Sequence, residues 1–245
     1  MARHSDKNKK KEVPKQLQTT RELFYSTPIF FKDLPDSKEL NKHLLKHILA
    51  WKKKDEKGIR RSNSLGWHSA VDMHHRKEYN PLTKELFKMQ QEIYQLEGYH
   101  PNTEAICDNM WANVNYKFSH NKNHVHPGAQ WSGVYYIKAP ENCGHIWFTD
   151  PCGERHMSLP IMAENKEKPL HYWREVHYQP VEGRIIMFPG WLSHEVAHNM
   201  SDLKGEKSWR ISVSFNFAQK WKHGQYVAPS SGHNSKGEIR VSSLK

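Results

Sequence analysis

Five short β-rich runs, divided by proline and glycine and with no helical pattern between them, constrain the fold of this chain more than any other feature. Polar and apolar residues alternate within the first and the last of them, which is typical of strands that are buried on one face. Such runs favour a sandwich or barrel over a parallel sheet, whose strands would need helical connections. In chain order the runs are Met110–Phe118, Trp131–Ile137, His145–Phe148, Arg184–Phe188 and Arg210–Phe217.

Two amphipathic helices are predicted before the strands. Asp36 and Glu39 have the spacing of a capping box, and an apolar stripe of helical period follows them over Leu40–Leu49. A second stripe predicts a helix from about Pro81 to Leu96, and Gly98 supplies its stop. Both stripes predict core packing. We therefore expect a helical part at about 36–98 and a β core at about 106–218, within one domain spanning 21–225.

The two ends of the chain lack the apolar residues of a core. Residues 1–20 are rich in lysine and predict a disordered basic tail, with an arm that grips nucleic acid as the alternative. Residues 226–245 have the composition of a flexible tail. The whole chain of 245 residues carries a formal charge of +11, which favours acidic partners or nucleic acid but does not indicate a fold.

Several classes of protein are excluded by composition. No stretch approaches the roughly 20 apolar residues of a membrane span, and the basic N-terminus lacks the apolar core of a signal peptide. The 3 cysteines form no CxxC pair, so a disulfide framework or zinc knuckle is not expected. We predict a cytoplasmic protein, in a host cytoplasm if the chain is viral, and leave a homo-oligomer open.

Three histidines form a candidate metal site. His124 and His126 are two residues apart, so in an extended segment their side chains leave the same face. His194 follows a predicted strand and a Pro-Gly turn, and pairing of two strands would bring it to the other two. The alternative is a chance pattern, because the chain contains 18 histidines.

Arg210 is a candidate anion receptor. It shares one face of the last predicted strand with Ser212, while the other face carries apolar residues. A guanidinium beside a hydroxyl can bind a carboxylate through two hydrogen bonds. The alternative is that this face is the solvent side of an edge strand.

The order of these motifs resembles the Fe(II)- and 2-oxoglutarate-dependent oxygenases, and more narrowly a family of 2-oxoglutarate-Fe(II) oxygenases from marine bacteria and cyanophages. The resemblance extends from about Phe24 to Phe217, and the HxHP motif with the following Ser132–Tyr136 block is its most specific part. Its other marks are Gly66-Trp-His-Ser69, Asn113-Val-Asn115, Phe148-Thr-Asp-Pro151, Gly183–Pro189, Trp191–His194 and Arg210–Asn216.

This resemblance implies a mainly β fold, a cupin-like jelly roll (double-stranded β-helix) with the N-terminal helices packed outside. It implies Fe(II) held by His124, His126 and His194, with 2-oxoglutarate anchored through its far carboxylate by Arg210 and Ser212. The chain departs from the superfamily at His126, where a carboxylate is usual. In a second interpretation, the segment beginning at His126 supplies the first metal ligand. No carboxylate then binds the metal, and one coordination position stays open.

Two further residues are candidates for contact with the cosubstrate, Tyr136 and Asn113. The alternatives are core packing for the tyrosine and a hydrogen bond to a histidine ligand for the asparagine. The implied reaction consumes 2-oxoglutarate and dioxygen, releases succinate and carbon dioxide, and hydroxylates a substrate that could be peptide, metabolite or nucleic acid. Two other functions stay open: a three-His cupin dioxygenase that uses no 2-oxoglutarate, and a non-enzymatic, basic, nucleic-acid-binding jelly roll.

Overall fold

The computed structural model describes residues 23–164 and 167–222, so both predicted tails lie outside the described residues. Two α-helices are present in this part of the chain, α1 (Ser37–Lys54) and α2 (Asn80–Leu96). Short 3-10 turns join several elements. The strands are β1 (Phe30–Asp33), β2 (Asn63–His68), β3 (Thr103–His124), β4 (Trp131–Lys138), β5 (Ile146–Thr149), β6 (Glu175–Tyr178), β7 (Arg184–Pro189), β8 (His194–Val196) and β9 (Arg210–Trp221).

The strands form one curled sheet whose named strand pairs are all antiparallel, in the order β1-β7-β4-β9-β3-β8-β5-β6, with β2 also on β3. The long strand β3 joins the two halves of this sheet. Its residues 103–115 pair with β9, whereas Asn121 and His124 pair with β8. Phe118 lies between these stretches with a φ of 69°, which interrupts regular strand geometry. The predicted mainly β jelly roll is confirmed.

One apolar cluster packs on each face of the sheet. The larger lies between the helices and the sheet, and strand β9 contributes Ile211, Val213 and Phe215 to it. The smaller lies inside the curl, where β4, β5 and β7 contribute Val134, Phe148 and Phe188, among others. The helices therefore pack outside the jelly roll, as predicted. None of the helices in the described residues is long and apolar enough to cross a membrane.

The predicted capping box at the start of α1 is wrong. Asp36 has a left-handed backbone, with a φ of 55°, and its side chain makes no capping hydrogen bond. Its backbone turns the chain from β1 into the helix, and an N-cap side chain needs an extended backbone to reach the amides of the first turn. The helix begins at Ser37 all the same, because its apolar stripe packs on the sheet.

Gly144, in the connection before β5, should not tolerate alanine. Its φ is 89°, and an added Cβ would collide with the carbonyl oxygen of Ala197 and lie 2.7 Å from that of His198. We expect Gly144→Ala to lower the free energy of unfolding by about 2–4 kcal/mol, from backbone strain and overpacking together. Gly205→Ala is the matched control, since Gly205 has a φ of 57° but nothing within 4 Å. Urea unfolding of both variants checks this, and equal losses would contradict it.

Candidate metal centre

Strand pairing brings the three predicted histidines together at one end of the jelly roll. His124 is the last residue of β3 and lies opposite His194, the first residue of β8. His126 follows in the turn, where its amide donates to the carbonyl of Gly190 at 2.8 Å. One ring nitrogen of each histidine lies within 4.8 Å of the others, and the Nε2 atoms of His126 and His194 are 3.3 Å apart.

Backbone carbonyls orient two of these imidazoles. The Nδ1 atom of His124 is 2.6 Å from the carbonyl oxygen of Lys122, and that of His194 is 2.9 Å from the carbonyl oxygen of Leu192. A carbonyl can only accept, so each Nδ1 carries the proton and each Nε2 keeps its lone pair. This is the tautomer in which Nε2 can ligate a metal.

Burial keeps the cluster uncharged. It lowers the pKa of His124, and it lowers the pKa of His126 to about 4 and that of His194 to about 3, with the neighbouring His124 adding to both effects. The three side chains are therefore neutral donors at neutral pH. For metal–nitrogen bonds of about 2.1 Å, two ligands at right angles would be about 3 Å apart, which is close to the observed 3.3 Å. The cluster fits a divalent metal that accepts imidazole, iron included.

A cavity lined by the three histidines extends into the jelly roll. Arg210, at the start of β9, lies at the far end of it. The cavity wall combines apolar side chains of the inner cluster with an unusual number of polar ones: Asn113, Asn115, Asn121, Tyr136, Arg210, Ser212 and Ser214.

The Arg210 side chain is buried, with 1% of its surface exposed, so the solvent-face alternative is wrong. Its Nη1 donates to the carbonyl oxygens of Cys143 at 2.5 Å and Gly144 at 3.0 Å, while Nη2 is buried without any partner. An unpaired guanidinium donor inside a protein costs free energy of folding. A ligand that accepts a hydrogen bond from it would remove this cost and so explains its presence. The cavity therefore holds an unsatisfied cation at its closed end.

The predicted neighbours of Arg210 are also in place. Ser212 lies directly across from Tyr136 on one side and from Asn113 on the other, and all three line the cavity. Asn113 donates from Nδ2 to the Ser214 hydroxyl at 3.1 Å, while its Oδ1 is buried without a partner. Burial raises the pKa of Tyr136, so its hydroxyl stays protonated and can donate.

The sequence did not indicate every residue of the cavity. Trp111 lines it beside His126, at 6.0 Å between ring centroids, and stacks on His68 at 5.4 Å. The period-two pattern that aligns Trp111 with Asn113 could have revealed it. The carbonyls that hold Arg210 have no sequence signal, because every residue carries one.

Part of the chain matches the model of a known protein family. Residues 109–216 match the model of a family described as "Putative 2OG-Fe(II) oxygenase", where 2OG is 2-oxoglutarate. The matched segment contains the three histidines, Arg210 and Ser212. The predicted resemblance to 2-oxoglutarate-Fe(II) oxygenases is thus confirmed, and the match does not extend to a marine bacterial or cyanophage origin. No curated protein matches the sequence significantly.

Solved structures show the same fold at low sequence identity. A prolyl-4-hydroxylase from Pseudomonas putida has a TM-score of 0.54 and 13% identity, covering 81% of this chain and 95% of its own. The α-ketoglutarate-dependent epimerase SnoN of nogalamycin biosynthesis has a TM-score of 0.56 and 10% identity, covering 80% and 79%. A prolyl hydroxylase from Trichoplax adhaerens has a TM-score of 0.52 and 11% identity, covering 77% and 82%.

Proposed function

We infer that this protein is an Fe(II)- and 2-oxoglutarate-dependent oxygenase that oxidises a substrate while releasing succinate and carbon dioxide. The observation that carries the inference is the unpaired Nη2 of the buried Arg210, which faces a cavity that begins at three convergent imidazoles. A ligand with a carboxylate at one end and metal-binding oxygens at the other matches this arrangement. 2-Oxoglutarate is such a molecule.

We propose His124, His126 and His194 as the iron ligands. Three neutral imidazoles leave Fe(II) one charge more positive than the usual set of two histidines and one carboxylate. That charge strengthens the attraction to a dianionic cosubstrate. When bound, the iron supplies the oxygen activation and electron transfer that couple decarboxylation of 2-oxoglutarate to oxidation of a C–H bond.

The proposed role of the cavity residues is to orient the cosubstrate. Arg210 donates from Nη2 to the far carboxylate, and its bonds to the carbonyls of Cys143 and Gly144 keep the guanidinium from turning away. The hydroxyls of Ser212 and Tyr136 face the same space and can donate to the same carboxylate. Asn113 completes this side of the site.

Apolar side chains of the cavity wall limit the access of water to the proposed site. Phe188 and Ile146 line the cavity and are 2% exposed each. Ion pairing with Arg210 is stronger in such surroundings than in water. The fixed guanidinium thus selects a ligand by charge and by length.

The test is an anaerobic titration of the Fe(II) protein with 2-oxoglutarate, followed by exposure to air. We expect a metal-to-keto-acid charge-transfer absorption band that saturates, and succinate once oxygen enters. Protein that binds iron but shows neither band nor succinate would contradict the proposal. That outcome would favour a three-His dioxygenase that uses no 2-oxoglutarate and binds the carboxylate of its substrate directly to Arg210.

His126→Asp should retain iron. Aspartate restores the commoner ligand set at this position, and a carboxylate is a good ligand for Fe(II). We expect stoichiometric iron by elemental analysis, with weaker 2-oxoglutarate binding because the metal is less positive. His126→Ala is the matched control: if it binds iron as tightly as the unaltered protein, His126 is not a ligand.

The same resemblance supports a narrower proposal, that the protein belongs to the group from marine bacteria and cyanophages. It also supports a location in the cytoplasm of a bacterium or of a host. The three cysteines, Cys107, Cys143 and Cys152, are free thiols, which suits a reducing compartment. Fractionation of cells that express the natural gene checks the location. Recovery outside the cytoplasmic fraction would contradict it.

A further inference from the structure

A basic segment borders the open end of the candidate site. Residues 55–62 connect α1 to β2, and the carbonyl of Ser62 accepts from the amide of Lys122 at 3.0 Å. The Ser62 hydroxyl lies 3.5 Å from Nε2 of His124. Arg60 and Arg61 therefore stand immediately beside the metal end of the cavity.

The cations of this rim lack internal partners. We define the basic rim as Lys57, Arg60, Arg61 and Lys122. Lys57, both arginines and Lys122 are exposed, and in the described part of the chain none of them makes a salt bridge. The nearby carboxylate of Asp55 accepts from the amide of Gly58 at 3.1 Å and keeps its negative charge. The four positive charges of the rim exceed the two negative charges of the neighbouring Asp55 and Glu56, and this excess favours a polyanion.

An exposed tryptophan stands at the same end of the site. Trp191 is 56% exposed, and its backbone neighbours Gly190 and Leu192 hold His126 and His194 through their carbonyl oxygens. Within residues 23–164 and 167–222, its ring packs on no other aromatic ring. An exposed indole and unpaired arginines at the same end of a site are a combination that binds single-stranded nucleic acid, by stacking of bases and contact with phosphates.

We propose that the prime substrate is single-stranded nucleic acid, held by the basic rim and stacked on Trp191 at the mouth of the cavity. This rests on the proposed function for the reaction itself. An acidic polypeptide would use the cations but would leave the indole without a stacking partner. A stacked duplex would not reach the site, because His194 is 3% exposed and lies inside the curl, so a base must leave the stack.

The test is fluorescence anisotropy of the full chain with a labelled single strand of randomised sequence, as DNA and as RNA, over a range of salt concentrations. We compare Arg60→Gln/Arg61→Gln with the matched control Lys204→Gln/Lys207→Gln, whose exposed lysines precede β9 at the closed end of the cavity. Loss of two phosphate contacts should make the slope of log K against log salt less steep by about 1.4. The control should keep the original slope.

Trp191→Ala tests the stacking platform separately. We expect affinity to fall roughly 5- to 150-fold with no change in salt dependence, the range for loss of one base–aromatic stack. The randomised strand should also raise succinate formation by the unaltered iron-loaded protein. A strand that binds without raising it would overturn the assignment as substrate.

Other outcomes would also overturn the proposal. Equal slopes for the rim variant and the unaltered protein would remove the basic rim as the binding site. Competition by poly-glutamate at the same charge concentration, as effective as by the strand, would identify an acidic polypeptide instead. Binding of the strand is measured without 2-oxoglutarate. If the strand does not bind, the result of the anaerobic titration, and with it the proposed function, is unaffected.

Discussion

His194→Ala should abolish stoichiometric iron binding and all succinate formation. Its Nε2 is 3.3 Å from that of His126, and its ring is 4.3 Å from the ring of His124 between centroids, so no other histidine can replace it without movement of the backbone. Changes to residues that only support metal ligands cost 10- to 100-fold in affinity, so loss of a ligand should cost more than roughly 100-fold. Elemental analysis and calorimetry measure it.

His120→Ala is the control for this experiment. His120 lies on the same strand as His124 and packs against His198, at 4.1 Å between ring centroids, outside the convergent cluster. It should bind iron like the unaltered protein. If His194→Ala also retained one iron per chain, the proposed ligand set would be wrong.

Arg210→Ala should weaken 2-oxoglutarate binding by roughly tenfold to a few hundredfold. Charge-assisted hydrogen bonds contribute roughly 1.5–3 kcal/mol, and each 1.4 kcal/mol is tenfold in affinity. Arg210→Lys should recover part of the loss, because an ammonium keeps the charge but lacks the planar fork. The midpoint of the anaerobic charge-transfer titration measures both, while iron binding should survive.

Folding must be checked in the Arg210 variants. The alanine variant also leaves the carbonyls of Cys143 and Gly144 without their donor, so some loss of stability is expected. Near-ultraviolet circular dichroism shows whether the protein remains folded. In a folded Arg210→Ala protein, an unchanged titration midpoint would show that the guanidinium does not bind the cosubstrate.

Much of the fold was predictable because its signals are local. The apolar stripe of α2 repeats at helical spacing, and the predicted start at Pro81 is one residue from the observed start at Asn80. The alternation in β9 separated Arg210 and Ser212 from the apolar residues that pack under the helices. The two-residue period of the sequence is enough to predict this separation, since side chains on a strand alternate between two faces.

The strands that the sequence did not reveal are short or weakly patterned. β8 has 3 residues, and β2 contains Asn63 and Gly66, which have low strand propensity. These strands are held by their partners: β2 by β3, and β8 by both β3 and β5. Their backbone hydrogen bonds are made with residues far away in the chain, so no local sequence pattern predicts these strands.

By itself, the sequence determined the candidates for the site: three histidines in the order HxH and His, then an arginine sharing a strand face with a serine. Only the tertiary structure decided that the arginine is buried inside the jelly roll, and that Tyr136 faces the cavity while Tyr135 donates to Asn41 at 2.5 Å under α1. Alternation states which residues share a face, but not which face is inside. That choice depends on the register between strands distant in sequence, here the pairing of His124 with His194 and of Ser212 with Tyr136.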